Sequence, residues 1–393
     1  MHGVTDSIEF QMSLLLFTAL GGYQIASRIA QPAVVGVMLA GIVIGPSVLG
    51  WVTYTSFVKS IAHLGAIILL FVIGLEFKLK TISDWRYGII GLFGVLVPWV
   101  CGYWLAQYFG FEPQKAIIVG VALTATSIAI TADVFREMGK LKTEAAKAII
   151  GAAIIDDVLA LLALAVSQQI SSSTLSVGLI AFMVMKAIIF LVAGAYFGRV
   201  FISKFVARIS TSENANQFPE FLFIFTMMMA FFYAMCAELM GLSAIVGAFV
   251  AGVSFEGVTP KIRNHLHVGT EHLRIIFGSI FFISLGILAD IKAFTFDTMG
   301  FLLALTVIAI LTKLIGCGLP AKLLGMNSKD SLIVGLGMVP RGEVAMIIAL
   351  LALNENIIEQ SAYVSLVMMS LLTTLIVPIV LKNWIYGEEQ SQK

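Results

Sequence analysis

The sequence predicts an all-α polytopic membrane protein of about 13 transmembrane helices, built from inverted repeats. Of its 393 residues, 59% are hydrophobic and only 12% are charged, whereas a soluble domain is about 25% charged. Apolar runs of about 20 residues, long enough to cross a hydrocarbon core of about 30 Å as a helix, recur along the whole chain. One glycine- and alanine-rich motif also occurs twice. Lipid is therefore the expected solvent for most of this chain.

Gly, Pro and charged residues separate the apolar runs and set the predicted spans. Residues 1–7 carry neither a basic region nor a small-residue cleavage pattern, which predicts a retained first helix rather than a signal peptide. The net charge of +1 says nothing about nucleic acid, but the basic residues are not clustered as a phosphate-binding patch would be, so no nucleic-acid partner is expected. Membrane lipids are the expected partners, because most of the chain is apolar. The predicted spans are residues 8–29, 32–50, 59–78, 87–109, 115–135, 143–168, 176–200, 218–240, 242–257, 272–290, 298–319, 327–352 and 360–382.

The basic residues in the loops and near the ends of these spans are distributed unevenly between the two sides of the membrane. With the N-terminus outside, 18 Lys and Arg residues fall on the cytoplasmic side, and only Lys59, Lys115 and Lys292 fall on the other. Since basic loops remain in the cytoplasm, this distribution predicts a multi-pass protein of the inner (cytoplasmic) membrane with a cytoplasmic C-terminus.

The repeated motif connects the second predicted span with the ninth. Residues 32–42 (PAVVGVMLAGI) and 243–253 (SAIVGAFVAGV) share Ala, Val, Gly, Ala and Gly at a constant offset of 211 residues. Because the ordinal numbers of the two spans differ by seven, an odd number, the two copies face opposite ways, as in secondary transporters whose substrate site lies between the halves. The alternative is a chance similarity, because Gly and Ala are common wherever membrane helices pack closely.

The sixth span contains two adjacent carboxylates, Asp156 and Asp157, with apolar residues on both sides. Each costs about 2.5 to 3.5 kcal/mol to insert at the centre of a membrane, which favours a functional role. Consecutive helical residues point about 100° apart, so one carboxylate can face an ion cavity while the other binds a protein group. The alternative is a pair that makes only helix-packing hydrogen bonds.

Two lysines lie inside predicted spans. Lys313, in the eleventh span, is the predicted partner of the carboxylates, because it lies too far from either span end to reach the interface easily. Lys186, in the seventh span, has no evident acidic partner, so we expect it to extend to the interface or to pack against neighbours.

Two further segments interrupt the apolar pattern at corresponding places in the two halves. Residues 122–131 place three Thr and one Ser, including Thr124, Thr126 and Ser127, in the middle of the fifth span. Residues 335–344 (GLGMVPRGEV) introduce Gly, Pro and two charges into the twelfth. Broken helices expose backbone groups that can coordinate a cation or neutralise charge where they line a cavity. A simple proline kink is the alternative.

The charged pair in the second interruption favours a supporting role. Arg341 and Glu343 are close enough in sequence to balance each other, so we expect them, with Thr124, to stabilise the broken helix rather than to bind substrate. Asp157, Asp156, Thr126 and Ser127 remain the predicted cation- and proton-binding residues.

The sequence argues against other functions and against a cofactor. A Walker A loop is missing, so ATP-driven pumping is not predicted. A channel needs a continuous hydrated path rather than one enclosed carboxylate site. A hydrolase needs a nucleophile and base or metal ligands, but the histidines are expected in loops or at span ends and the cysteines as small apolar residues. These residues are His63, His265, His267, His272, Cys101, Cys236 and Cys317.

The chain resembles the cation:proton antiporter superfamily, and specifically the NapA-type Na⁺/H⁺ antiporters of the branch that contains Kef-type potassium efflux systems. The Asp-Asp pair with a downstream lysine is the specific element, whereas GLE and PRGE occur across the branch. The motifs follow the family order along nearly the whole chain. They are residues 31–36 (QPAVVG), 70–76 (LFVIGLE), 125–127 (ATS), 155–157 (IDD), 281–286 (FFISLG), Lys313 and residues 340–343 (PRGE).

The resemblance implies an architecture in which two discontinuous helices cross. It implies a panel or dimerisation domain formed by residues 1–83 and 211–295, a core ion-transport domain formed by residues 84–172 and 296–393, and a linker helix in residues 173–210. It also implies a homodimer in which the core moves like an elevator.

The resemblance also implies Na⁺ and H⁺ as the transported ions. Electroneutral relatives usually have Asn before the essential Asp and Arg instead of the lysine, and Kef-type relatives have an uncharged polar residue at the first position and a cytoplasmic regulatory domain. Asp156 and Lys313 here, with no such domain after Lys393, favour electrogenic Na⁺/H⁺ exchange. K⁺/H⁺ exchange of the Kef type is the alternative, and the choice among Na⁺, Li⁺ and K⁺ stays open.

Overall fold

The fold was examined in a computed structural model. It describes residues 7–29, 31–76, 84–127, 131–132, 134–135, 138–140, 142–170, 177–210, 220–240, 242–293, 296–381 and 385. Within these ranges all regular secondary structure is helical. The predicted all-α class is therefore confirmed for the part of the chain that is described.

Six helices have described bounds in the first half of the chain, before the linker region. Ser7 Oγ caps the first by accepting a hydrogen bond from Phe10 N, and the Asp84 carboxylate caps the fourth by accepting one from Arg86 N. Such side chains satisfy amide groups that a helix start leaves without partners. The helices are α1 (Ile8–Arg28), α2 (Ala33–Ile44), α3 (Ser56–Glu76), α4 (Trp85–Tyr108), α5 (Pro113–Ala122) and α6 (Glu144–Ile170).

The described residues of the second half form eleven further helices. Three single π-helical turns join consecutive helices end to end: Gly198–Ile202 joins α7 to α8, Arg274–Gly278 joins α11 to α12, and Leu314–Gly318 joins α13 to α14. The helices are α7 (Val177–Phe197), α8 (Ser203–Ser210), α9 (Glu220–Leu239), α10 (Ala244–Ser254), α11 (Pro260–Leu273), α12 (Ser279–Leu288), α13 (Phe296–Lys313), α14 (Leu319–Leu323), α15 (Ser328–Gly337), α16 (Glu343–Asn354) and α17 (Gln360–Val380).

Seven helical stretches among the described residues are long and apolar enough to cross a membrane. Three shorter apolar helices, Ala33–Ile44, Ala244–Gly257 and Val344–Asn354, accompany them. Many large apolar side chains on the long helices face outward, such as Phe17, Trp104 and Val192, which are 64% to 71% exposed. This outward apolar surface fits a lipid environment, in agreement with the predicted polytopic membrane protein.

The prediction of loops for His265, His267 and His272 is wrong, because all three lie in a helix. His265 and His267 do lie at one end of the apolar stretch Leu266–Leu288, whereas His272 lies within it. Residues Pro260–Leu273 form α11, which continues through a π-helical turn into α12. Pro260 occupies the first helical turn, where its missing amide hydrogen costs nothing. A search for apolar runs misses such a helix because its polar residues keep the average hydropathy low.

The two copies of the repeated motif occupy equivalent positions in the fold. Residues of the first copy form α2 and residues of the second form α10. Gly41 of α2 lies against the backbone of Ile283 in α12, and Gly252 of α10 lies against the backbone of Phe71 and Gly74 in α3. Each copy therefore packs on the helix that follows the other copy, and glycine permits that close approach. Such reciprocal packing supports a duplication.

The most extensive packing falls into two groups of helices. In one group, α1 to α3 pack with α9, α10 and α12. In the other, α4 to α6 pack with α13 to α17, and the turn Leu314–Gly318 contacts both α4 and α15. Helix α7 contacts both α6 and α10. The predicted ion-binding residues belong to the second group.

Candidate cation-binding site

A fully buried ion pair lies at the centre of the second group. Helix α6 carries Asp156 and the end of α13 carries Lys313. Lys313 Nζ donates a hydrogen bond of 2.8 Å to Asp156 Oδ1, and neither side chain has any exposed surface. Because two charges removed from water are costly unless they are paired, each residue stabilises the other here.

The Asp156 carboxylate keeps one oxygen without a hydrogen-bond donor. Oδ1 accepts from Lys313, whereas buried Oδ2 has no hydrogen-bond partner among the described residues. The Thr126 hydroxyl lies near this carboxylate but donates to Met338 O at 3.2 Å. A buried oxygen without a donor is an uncommon feature of a folded protein and is available to a proton or a cation.

The two interrupted segments meet beside this pair. Helix α5 ends at Ala122 and α15 ends at Gly337, after which both chains leave the helical path. Ser127 N donates to Pro340 O at 2.8 Å. Thr131 Oγ1 donates to Gly337 O at 2.7 Å. The end of one interrupted helix is thus bound directly to the end of the other.

Arg341 binds backbone carbonyl groups of three neighbouring residues. Its NH1 donates to Thr124 O at 3.3 Å and to Ala125 O at 3.1 Å, and its NH2 donates to Ala309 O at 3.1 Å. The side chain is fully buried. The carbonyls of Thr124 and Ala125 follow the end of α5, where carbonyls lack helical amide partners and carry partial negative charge, so the guanidinium both satisfies and neutralises them. The carbonyl of Ala309 lies within α13 and links Arg341 to that helix.

Two adjacent hydroxyls of α17 hold the backbone at the second interruption. Arg341 N donates to Thr373 Oγ1 at 3.3 Å, and Thr374 Oγ1 donates to Arg341 O at 2.9 Å. Sequence reasoning did not select these threonines, although two consecutive hydroxyls in an apolar run were a usable signal. The carbonyl of Ala309 gave no signal, because every residue has one.

The structure brings most of the predicted site residues together and leaves two undescribed. Six of them converge around the buried pair and the two interruptions: Asp156, Lys313, Thr124, Thr126, Ser127 and Arg341. The side chains of Asp157 and Glu343 lie outside the described side chains, although both residues are in helices. The expected Arg341–Glu343 balance therefore remains a prediction. Lys186 lies on α7 and is half-buried.

The donor atoms at this site are oxygens. Carboxylate, hydroxyl and carbonyl oxygens suit hard cations such as Na⁺, and the described residues contain no group of three or more His, Cys, Asp or Glu that could hold a tightly bound metal ion. In the described part of the chain, Cys317 is buried, while Cys101 and Cys236 are half-buried, and all three thiols are free. The arrangement fits an ion that binds and leaves.

Comparisons with known proteins agree with this geometry. The profile of the family described as "Sodium/hydrogen exchanger, transmembrane" matches residues 14–385. The Na⁺/H⁺-K⁺ antiporter GerN of Bacillus cereus is 33% identical over 98% of both chains. An Na⁺/H⁺ antiporter of Enterococcus hirae is 32% identical over 94% of this chain and 96% of its own.

A solved structure shows the same fold at much lower sequence similarity. It is that of the sodium proton antiporter MjNhaP1 from Methanocaldococcus jannaschii at pH 8, with a TM-score of 0.70, 16% identity, and coverage of 98% of this chain and 97% of that chain. The profile match spans far more than half of the chain, and the GerN similarity extends almost from end to end. The chain belongs to the sodium/hydrogen exchanger family.

Proposed function

We propose that this protein is a secondary active antiporter that exchanges H⁺ for Na⁺ across the membrane, with Asp157 and Asp156 as the exchanging carboxylates. The observation that carries the proposal is the fully buried Asp156–Lys313 pair beside the contact between two interrupted helices. Charged side chains in the membrane interior carry a free-energy cost of about 2.5 to 3.5 kcal/mol each, which is rarely accepted without a function. The names of the relatives from Bacillus cereus and Enterococcus hirae, both Na⁺/H⁺ antiporters, support Na⁺ and H⁺ as the exchanged ions.

Competition at one carboxylate is sufficient for antiport. Asp157 follows Asp156 directly on α6. Because consecutive helical residues diverge by about 100° around the axis, the two carboxylates are suited to different partners. We assign it as the principal Na⁺ ligand, assisted by oxygen atoms at Thr126 and Ser127. A single buried carboxylate holds either a proton or a cation, because both together would leave an uncompensated positive charge. Release of one ion is therefore required for binding of the other.

Lys313 supplies the second proton in this proposal. In the absence of Na⁺ it pairs with Asp156, as in the structure. A cation at the site draws the Asp156 charge toward itself, and the lysine, without its partner in a medium of low polarity, gives up its proton. Two protons then move against one Na⁺, so each cycle carries net charge. We therefore propose electrogenic exchange.

Alternating access is proposed to occur by an elevator movement. The proposal is supported by the division of the helices into two packing groups, with helix α7 in contact with members of both. A cavity of about 520 Å³ is lined mainly by residues of α3 and α16, among them Lys59, Ile347 and Asn354. Ile347 is one helical turn beyond Glu343, so this cavity leads toward the second interruption. We propose that this cavity is part of the path by which ions reach the site from the outer side of the membrane. We also propose that the N-terminus lies outside and that two copies of the chain form a homodimer.

The test is the Asp157→Asn variant in proteoliposomes. Asparagine keeps the side-chain volume and removes the exchangeable charge, so we expect Na⁺-dependent proton flux to disappear while the protein remains folded. Glu359→Gln, at the exposed end of a surface ion pair with Lys115, is a matched control that should transport like the parent. Persistent Na⁺-dependent flux in Asp157→Asn would refute the proposal.

K⁺/H⁺ exchange is the second candidate. The name of the Bacillus cereus relative GerN, an Na⁺/H⁺-K⁺ antiporter, favours this second exchange. Proton flux driven separately by Na⁺, Li⁺ and K⁺ gradients decides between the ions. We expect Na⁺ to give the largest flux, and an equal or greater flux with K⁺ would replace the first proposal with the second.

A further inference from the structure

The backbone of α4 passes directly beside the Asp156–Lys313 pair at Gly94. A Cβ atom placed on Gly94 would lie 3.6 Å from both Asp156 Oδ1 and Lys313 Nζ, which is ordinary contact distance. The same atom would lie only 2.7 Å from Cys317 Sγ. That distance is too short for any real carbon–sulfur contact, so a larger residue at position 94 would have to displace the thiol.

Cys317 faces Gly94 from the turn that follows the lysine. It belongs to the π-helical turn Leu314–Gly318 and is fully buried. In the same turn, a Cβ atom on Gly316 would lie 2.7 Å from Phe93 O of α4. The turn that directly follows Lys313 is therefore in direct contact with α4 at two neighbouring points, and it has no room to approach more closely.

Helix α4 is in equally close contact with the helix that carries the aspartate. A Cβ atom on Gly91, one turn before Gly94, would lie 2.8 Å from Ala152 O of α6. Helix α4 therefore supports α6 on one side and the turn Leu314–Gly318 on the other. Its surface at Gly91 and Gly94 sets how far apart Asp156 and Lys313 are held.

We propose that Gly94 and Cys317 are positioning residues, whose combined volume sets the Lys313–Asp156 distance and through it the apparent affinity for Na⁺. This inference rests on the proposed function, in which Na⁺ and Lys313 compete for Asp156. A methyl group at position 94 pushes Cys317 and its turn away from α4 while α6 stays in contact with Gly91. The lysine then moves away from the aspartate and competes less, so the apparent KM for Na⁺ falls.

The experiment measures proton flux in proteoliposomes at one fixed pH as a function of Na⁺ concentration. We expect Gly94→Ala to lower the apparent KM by about threefold or more, in the range found for residues in direct contact. Gly88→Ala is the matched control on the same helix, because a Cβ atom there would meet only Ile155 Cδ1 at 3.9 Å. Its KM should equal that of the parent. Adding Cys317→Ala to Gly94→Ala removes the displaced atom and should restore the parent KM.

Several outcomes would overturn the inference. The first is a Gly94→Ala protein whose apparent KM for Na⁺ equals that of the parent, even if its maximal rate differs. The second is a double variant, Gly94→Ala with Cys317→Ala, whose KM stays as altered as in Gly94→Ala alone. If Gly94→Ala does not fold, Cys317→Val enlarges the same contact from the other side, and an unchanged KM in that variant overturns the inference as well. A parent protein without Na⁺-dependent proton flux would refute the proposed function and this inference with it, so the two failures are distinguishable.

Discussion

Helix α6 takes part in two lysine–carboxylate pairs that have the same N–O distance in opposite surroundings. At its start, Lys147 Nζ lies 2.8 Å from Glu144 Oε1, and these side chains are 53% and 65% exposed. Near its middle, Asp156 Oδ1 lies 2.8 Å from Lys313 Nζ, and both side chains are completely buried. The N–O distance is the same in both pairs, so burial is the property that distinguishes them.

The difference shows why only one pair is suited to ion exchange. Water and salt screen the exposed charges, so either partner can be lost without leaving an uncompensated charge. In the interior no solvent replaces a lost partner, so a change at Asp156 must be balanced at Lys313 or by an incoming cation. The buried pair can therefore couple one ion to another, and the surface pair cannot.

The largest effect that we expect is a loss of folding stability when the buried pair is broken, and it tests the difference between the two pairs. Lys313→Met removes the ammonium and keeps a similar shape, leaving the Asp156 carboxylate buried without its partner. We expect the free energy of unfolding to fall by about 3 to 5 kcal/mol. Lys147→Met, the matched change at the surface pair, should give a far smaller effect. Thermal and denaturant unfolding in detergent measure both, and equal losses would show that burial does not distinguish the pairs.

A second substitution, which removes the Asp156 charge, tests whether the loss of stability comes from that charge. Adding Asp156→Asn to Lys313→Met eliminates the unpaired carboxylate, so most of the lost stability should return. The corresponding double change, Glu144→Gln with Lys147→Met, should leave unfolding close to that of the parent. A double interior variant as unstable as Lys313→Met alone would locate the damage in packing rather than in charge.

A smaller effect is expected at the buried guanidinium. Arg341→Gln removes donors from the carbonyls of Ala125 and Ala309, and hydrogen bonds to charged groups contribute about 1.5 to 3 kcal/mol. We expect a loss of stability in that range together with reduced transport, because the two interruptions lose their common support. Arg86→Gln, at an exposed pair with Asp84, is the control. Unchanged unfolding of Arg341→Gln would contradict a supporting role.

The next prediction concerns transported charge rather than stability. If Lys313 carries the second proton, Lys313→Gln should still exchange one proton for one Na⁺ through Asp157 and should become electroneutral. Na⁺-driven transport in liposomes clamped at different membrane potentials measures this. An active variant with the voltage response of the parent would show that the lysine is not the second proton site.

The smallest expected effect lies outside the membrane, at the start of α4. Hydrogen bonds from Arg86 lower the pKa of the Asp84 carboxyl. A group whose pKa is lowered by folding stabilises the protein above its ordinary pKa of about 3.9, and loses that contribution as the pH falls through the lower value of the folded state. Asp84→Asn should therefore unfold slightly more easily than the parent near neutral pH, and the difference should vanish in acid. A difference independent of pH would contradict this origin.

Local physical chemistry made much of this protein predictable from its sequence. The membrane class follows from composition, because apolar residues in such number leave only lipid as solvent. Asp156 and Lys313 were identifiable because a charge in an apolar run is costly wherever the helix packs. Pro340 and its neighbouring glycines marked an interruption because proline removes a helical hydrogen bond in any context. The amphipathic helix α11 was missed because its polar residues hide it from a hydropathy search.

Only the tertiary structure decided which of these groups meet. Asp156 and Lys313 are 157 residues apart in sequence, and only the packing of α4, α6 and α13 brings their charged atoms to 2.8 Å. Arg341 was expected to balance Glu343, yet its described donors bind the carbonyls of Thr124, Ala125 and Ala309, which have no side-chain signature. Gly94 is one of 35 glycines, and nothing local marks it. Its role depends on the atoms that surround it, because steric contact is a property of packed neighbours and not of residue order.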